Sequence, residues 1–291
     1  MTGEDFRFIV NEQLEEISIK PKLIIIEPIG KNTAPAILAA TLSQGKENNN
    51  IFIMSPSDHH ITDIRKFHND IRSGLSVAEK GDFVIFGVLP NRIETGYGYF
   101  KIKDPKNKKI AEVVEFIEKP SLKKAKQFFS KKTFLWNSGL ILFNSKSLID
   151  AFKNYELSDY NKISHSLENG HKDLNFFKLN NLKWKKCKSI SIDYSILEKV
   201  KNLKAIKVSF SWDDLGNWDS IFKISKKDDK GMSISNNVTS VNSSNSLIMG
   251  LDERQQIISI GINDLNVIAM NDSILISSKN KSDELKKVIE K

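Results

Sequence analysis

The chain has 291 residues, 40% of them hydrophobic, with a formal charge of +8 and one cysteine, Cys187. That composition provides for one large domain with a small appendage, and it excludes a disordered chain, an intramolecular disulfide, a cysteine metal cluster and a run near the roughly 20 apolar residues of a membrane helix. The charge excess is lysine scattered without interleaved aromatics, which argues against nucleic acid as a partner, though some of it could steer small anionic substrates.

The opening MTGEDFRFIVNEQLEEI lacks a basic segment followed by an apolar stretch, so no signal peptide is read and a cytoplasmic location is expected. Lys22–Glu27 contains a short apolar run of the buried-strand type. Thr33–Ser43 reads as a helix, with Thr33 as cap candidate, Pro35 in the first turn and Gly45 past the end. Ile51–Met54 is a second buried strand, Asp63–Lys80 a helix with Phe67, Ile71 and Leu75 on one face, and Phe83–Val88 a third strand. Strand Glu112–Ile117, helix Leu122–Phe129, strand Leu135–Phe143 and a helix from Ser145 follow.

This alternation predicts an α/β fold, a mostly parallel sheet covered by helices, with ligands beyond the carboxyl ends of its strands. After a charged linker, Lys226–Lys230, the texture becomes short β runs at Ser246–Met249, Gln256–Ile260, Asn266–Ala269 and Ile274–Ser277, closed by a helix at Asp283–Glu290. The expected domains are 1–224 and a small β-rich 231–291.

Five polar clusters fall at strand ends or in the loops after them: Ser55–His59, Glu94–Tyr99, Phe116–Pro120, Trp136–Gly139 and Trp212–Gly216. Asp58 follows an apolar strand, where a carboxylate can hold Mg²⁺ beside phosphates or simply cap a turn. Asp213-Asp214 supplies a second acidic position, and carboxylates from two distant strands can hold Mg²⁺ where charge builds on phosphoryl oxygens. Lys119 suits a monoester phosphate and Glu118 sugar hydroxyls, although Glu-Lys before a proline also describes a solvated strand end. Asn137 beside Trp136 suits a sugar or a buried structural pair. His59 and His60 have no partner at metal spacing and read as structural. Cys187 lies among lysines that could lower its pKa, but a lone cysteine is more often inert.

Taken in order, these segments resemble the mannose-1-phosphate guanylyltransferases of the sugar nucleotidyltransferase family. Glu27–Ala36 is similar to that family's Glu-Pro-x-x-(Arg/Lys)-Asn-Thr-Ala-Pro segment, and Ser191–Tyr194 and Ser211–Trp218 to two more of its hallmarks. The resemblance implies a Rossmann-like, GT-A-like nucleotidyltransferase fold. It implies Mg²⁺ on Asp58 and Asp214, with Lys119 also catalytic, and nucleotide contacts at Glu27, Asn32, Thr33 and Pro35. Gly98, Glu118, Lys119, Asn137, Asp193 and Lys199 would face the sugar phosphate. The implied reaction transfers GMP from GTP to mannose 1-phosphate, releasing pyrophosphate, in a homodimer held by the C-terminal domain. Phosphomannose isomerase activity is not expected, because the cupin-like domain of some members has no counterpart.

Asp5–Leu14 is similar to the family's first helix after its glycine-rich phosphate loop, so that strand–loop–helix unit is expected to be missing. Three explanations stand open: a start upstream, a separate N-terminal fragment supplied in trans, or an inactive relative that binds sugar nucleotide or another subunit.

Overall fold

A computed structural model describes residues 1–45, 49–103, 109–279, 281, 284, 285 and 288. The chain divides into two compact units, Met1–Ser57 with Thr62–Ser211, and Asp58–Ile61 with Trp212–Lys291. Trp212 and Asp213 group with the second unit because they pair with His60 and Ile61 in a two-stranded ladder of their own. Most of the helix expected at Asp283–Glu290 lies outside the described residues.

In chain order the elements to the first unit's end are β1 Thr2–Gly3, α1 Arg7–Glu16, β2 Ile24–Glu27, α2 Thr33–Leu42, β3 Ile51–Met54, β4 His60–Ile61 and α3 Ile64–Glu79. There follow β5 Phe83–Val88, β6 Tyr99–Ile102, β7 Ile110–Ile117, α4 Leu122–Phe129, β8 Phe134–Asn144, α5 Ser145–Tyr155 and α6 Leu157–Glu168. Then come β9 His171–Asp173, β10 Phe176–Lys178, α7 Asn181–Trp184 and β11 Leu203–Lys207. Six strands form one sheet in the order β3-β8-β5-β11-β7-β6, and four form another in the order β1-β2-β10-β9. The α/β architecture is of the mixed kind. Parallel ladders join β5 to β11 and β2 to both β1 and β10, while β8 runs antiparallel to β3, β5 and β6.

Alternation along β5 explains how both faces are covered. Phe83 and Ile85 belong to a core with Ile37 and Leu38 of α2, Leu148 and Phe152 of α5 and Ile163 of α6. Val84 points to the opposite face, where α3 comes so near that a Cβ on Gly74 would lie 2.9 Å from Leu142 and 3.2 Å from Ile206. Each fully buried aliphatic side chain of this kind contributes roughly 1.5–3 kcal/mol. Ile51–Met54 departs from its expected burial: β3 is the sheet's edge, and Ile53 is 42% exposed.

Helix α2 is capped by Asn32, not Thr33. The Asn32 backbone turns to φ 66°, and its Oδ1 accepts from the Thr33 N–H at 2.8 Å. The Thr33 hydroxyl instead accepts from the Ile192 N–H at 2.9 Å. Ala34 N donates to Ile190 O, and Trp184 Nε1 donates to Ile29 O at 2.7 Å. These bonds strap the loop before α2 to residues 184–192, which carry on into Asp193.

The second unit comprises β4, β12 Trp212–Asp213, α8 Trp218–Ile224, β13 Ser233–Ile234, β14 Val238–Val241, β15 Leu247–Gly250, β16 Ile257–Ile260, β17 Leu265–Ala269 and β18 Ile274–Ser278. Two of the three parallel ladders share one spacing: 238 pairs with 257 and 247 with 266, each 19 residues on, while 233 pairs with 247, 14 residues on. The chain therefore coils as a parallel β-helix. Val238, Ile248 and Met232 fill it, Ser259 Oγ donates to Ser240 Oγ between coils at 2.8 Å, and Asn242, Asn245 and Asp264 take left-handed corners. The repeat is weak in sequence because only inward positions are constrained to be small or apolar.

Candidate active site

A cleft of about 560 Å³ opens beside α2 in the first unit. Glu27, Gly30, Asn32 and Thr33 line one part of it and Gly139, Ile192 and Asp193 another. Ala36, Ile37, Ile53, Met54 and Ile141 give it apolar walls. This is the size and character of a small-molecule site, with few polar groups set against hydrophobic surface. Pro35 is buried in the first turn of α2 and helps set the helix start. Glu27 ends β2, and its Oε2 is buried without a hydrogen-bond partner. Burial raises its pKa, against the lowering effect of the Lys31 backbone N–H and the charge of the Met1 amine.

Asp193 ties that cleft to a cluster of carboxylates. Asn137 Nδ2 donates to Asp193 Oδ1 at 2.9 Å, while Asn137 Oδ1 accepts from Gly139 N at 3.2 Å. The β5–β8 register slips between Ile85 and Gly87, where Gly87 faces Asn137, and Gly139 sits at φ 75°. A bulge of this kind re-aims a side chain. Asn137 N donates to Gly98 O at 2.8 Å. A Cβ on Gly98 would run into Glu118 Oε2, so glycine lets the Glu94–Tyr99 loop lie against that carboxylate.

Burial and then neighbouring Asp193 push the Glu118 pKa up to about 7. Burial likewise raises Asp193, which begins a π-type turn, Asp193–Leu197, and raises Glu198 just after it. Lys119 supplies the nearby cation, 3.6 Å from Glu118 Oε1, with a largely exposed ammonium. Its backbone adopts φ 44°, at a cost of about 1–2 kcal/mol for a side-chain-bearing residue.

In the second unit, β4 and β12 pair with Asp213 opposite His60 and Trp212 opposite Ile61. Trp212 Nε1 donates to His59 Nδ1 at 3.1 Å, and the two rings meet edge to face. Burial lowers the His59 pKa, while the charges of Asp58 and Asp214 oppose that shift, so both carboxylates lie close to one imidazole. Asp213 is buried, accepts from Leu215 N at 3.1 Å and lies 3.7 Å from Lys223 Nζ. Asp214 accepts from Gly216 N at 3.3 Å. Among the described residues no group of three or more His, Cys, Asp or Glu side chains is gathered as a metal cage. Two oxygen-donor carboxylates nonetheless fit Mg²⁺, which keeps several waters and takes phosphate oxygens as its remaining ligands.

The structure thus places Glu27, Asn32, Thr33 and Asp193 on one cleft, groups Gly98, Glu118, Lys119, Asn137 and Asp193, and sets the charges of Asp58 and Asp214 each within electrostatic reach of His59. Lys199 is held elsewhere: its Nζ donates to Glu156 Oε1 at 2.7 Å, while Lys188 Nζ donates to Glu156 Oε2 at 2.8 Å. Glu156 carries no local signal, lying at the junction of α5 and α6 far along the chain from both lysines. Arg92 was also invisible in sequence. It donates to Tyr97 and Glu94 and stacks over Trp136, bracing the Glu94–Tyr99 loop. Cys187 is not activated by the lysines around it. Burial, reinforced by Asp159, pushes its thiol up to about 11.

Comparison with known proteins shows the family. Residues 2–231 match the family described as nucleotidyl transferase, and residues 236–291 match the one described as MannoseP isomerase/GMP-like beta-helix domain. The chain belongs to the nucleotidyl transferase family. A mannose-1-phosphate guanylyltransferase of Escherichia coli is 34% identical over 99% of this chain and 63% of its own length. One from Salmonella montevideo is also 34% identical, over 99% of this chain and 62% of its own. The chain therefore spans less than two thirds of the length of these curated relatives. A solved structure described as mannose-1-phosphate geranyltransferase from Thermus thermophilus shares the fold, with a TM-score of 0.79 at 23% identity over 99% of this chain and 82% of that one. No described helix is long and apolar enough to cross a membrane.

Proposed function

We propose that this chain carries out guanylyl transfer from GTP to mannose 1-phosphate, giving GDP-mannose and pyrophosphate. The observation that carries the reading is 34% identity to guanylyltransferases of that name across 99% of the chain, with the sequence-predicted residues gathered into coherent clusters. The cleft beside α2 takes the nucleotide, its apolar walls holding the base. Asn137, Asp193 and Glu118 orient the hexose: the amide is held by Asp193, and the carboxyl groups accept from sugar hydroxyls. Lys119 draws in the sugar's phosphate as a compact cation. An oxygen of that phosphate then attacks the α-phosphorus of GTP, and the bond to pyrophosphate breaks. Positioning and charge neutralisation are the main catalytic resources for such a transfer. Asp58 and Asp214 would hold Mg²⁺, which supplies neutralisation of charge on phosphoryl oxygens.

The β-helix supports assembly as a homodimer. Thr239 and Val241 of β14 and Ile258 and Ile260 of β16 point outward, on a ladder of just these two strands among the described residues. Pyrophosphate release by the purified chain with GTP, mannose 1-phosphate and Mg²⁺, against UTP, tests the reading. GTP-selective turnover is expected, and UTP-selective turnover would refute it.

A further inference from the structure

We propose that Arg92 is a positioning residue for the sugar-phosphate side of the site, clamping the Glu94–Tyr99 loop against β8 so that Gly98 and Asn137 stand ready for the hexose. The inference rests on the guanylyl-transfer reading and adds to it a residue that acts through its neighbours and touches neither substrate.

The connection between β5 and β6 needs such a clamp. Residues 89–98 lie in no helix or strand, and Asn91, Ile93, Thr95 and Gly96 are exposed. A segment of this kind costs conformational entropy whenever a ligand requires it to be ordered. Its far end is fixed: Gly98 is buried, Gly98 O accepts from Asn137 N at 2.8 Å, and Tyr99 pairs with Trp136 across the β6–β8 ladder.

Arg92 ties the near end to the same place. Its Nε donates to Glu94 Oε2 at 3.3 Å, and its Nη2 donates to the Tyr97 hydroxyl at 3.1 Å. The guanidinium carbon lies 5.1 Å from the centre of the Trp136 ring and 5.6 Å from that of Tyr97. Those two rings meet edge to face, 5.3 Å apart. Glu94 passes the hold on: its Oε1 accepts from Gly96 N at 2.9 Å, and its carbonyl accepts from the Tyr99 hydroxyl at 2.8 Å. One planar cation thus engages a carboxylate, a hydroxyl and an aromatic face at once, which the point charge of a lysine does not reproduce. Trp136 immediately precedes Asn137, so the clamp closes one residue from the amide that is bonded to Asp193. The cleft beside α2 is lined by residues outside this loop, so the effect should fall on mannose 1-phosphate and spare GTP.

Steady-state kinetics on Arg92→Lys and Arg92→Ala, joined to hydrogen exchange at the loop amides, test the assignment. KM for mannose 1-phosphate is expected to rise roughly tenfold in both variants, as when a positioning group is lost. KM for GTP should stay within about twofold of wild type. Exchange at Gly96 should quicken while the β5–β8 ladder keeps its protection. A merely structural role would raise both KM values and loosen loop and ladder together, and that result overturns the proposal. So does an unchanged KM for mannose 1-phosphate in a folded Arg92→Lys, which leaves the guanylyl-transfer reading intact. If neither Arg92 variant folds, Tyr97→Phe removes one arm of the clamp; an unchanged KM for mannose 1-phosphate there overturns it equally. A wild type that turns over no GTP with mannose 1-phosphate removes the reading, and this role with it.

Discussion

Asn137 donates its side-chain N–H to Asp193, 56 residues further on, at 2.9 Å, joining the bulged strand β8 to the π-type turn. This bond fixes the orientation of an amide and a carboxylate together. Asn137→Ala leaves Asp193 buried without that donor, at a cost of about 1–3 kcal/mol. KM for mannose 1-phosphate is expected to rise by roughly tenfold or more, with KM for GTP less affected; steady-state kinetics varying each substrate in turn checks this.

Gly98→Ala places a methyl group against Glu118 Oε2. Gly98 does not occupy the left-handed region, so its backbone tolerates alanine and the clash falls on the carboxylate. Activity should drop by about tenfold or more, as expected when a substrate-positioning group is displaced. The melting temperature should change by only a few degrees, as for a loss of about 1 kcal/mol. Comparing kcat/KM with thermal melting separates the two effects.

Stability should decline with pH across the range in which Glu118 titrates. Its pKa is raised from the ordinary 4.5 to about 7 by burial and Asp193, so the folded protein holds a proton that the unfolded chain releases earlier. The linked stability is fully present below about pH 4.5 and is lost as pH rises through about 7. Asp193 and Glu198, shifted in the same direction, add to the trend. Glu118→Gln should flatten the decline, which melting curves at pH 5, 6, 7 and 8 for both proteins would show.

The two adjacent aspartates should behave differently. Asp214→Asn is expected to abolish Mg²⁺-dependent turnover with the fold intact. Asp213→Asn is expected to destabilise chiefly, because its buried carboxylate accepts from Leu215 N and faces Lys223. Pyrophosphate release and circular dichroism on both variants decide the matter; full activity in Asp214→Asn would remove the metal assignment.

Glu156→Gln should release Lys188 and Lys199 by weakening the two ion pairs made by a buried carboxylate. A loss of about 1 kcal/mol is expected, because the two ammonium groups left behind remain in water. Chemical denaturation measures it.

The elements were legible in sequence wherever one pattern decided them. Phe83–Val88 and Leu122–Phe129 have the predicted bounds because a buried run and an amphipathic period are local properties. The segments around Glu27, Glu118, Asn137 and Asp214 were legible as an ordered set through their resemblance to a family, because each residue type alone also fits a turn or a solvated strand end. The mixed direction of the sheet was not, because strand pairing depends on distant partners and a period of two says nothing about direction. Nor was the 19-residue coil, whose outward positions are free to vary.

Sequence alone determined the α/β class, the β-rich tail and the chemical inventory of the site, all of which depend on local pattern and residue type. Tertiary structure decided which groups meet: His59 with Trp212 across 153 residues, Lys199 with Glu156 across 43, and Glu27 Oε2 with a cleft instead of a bonding partner. Such meetings depend on register and loop path. A slip of one residue turns every side chain of a strand to the other face, so no stretch of sequence read by itself contains them.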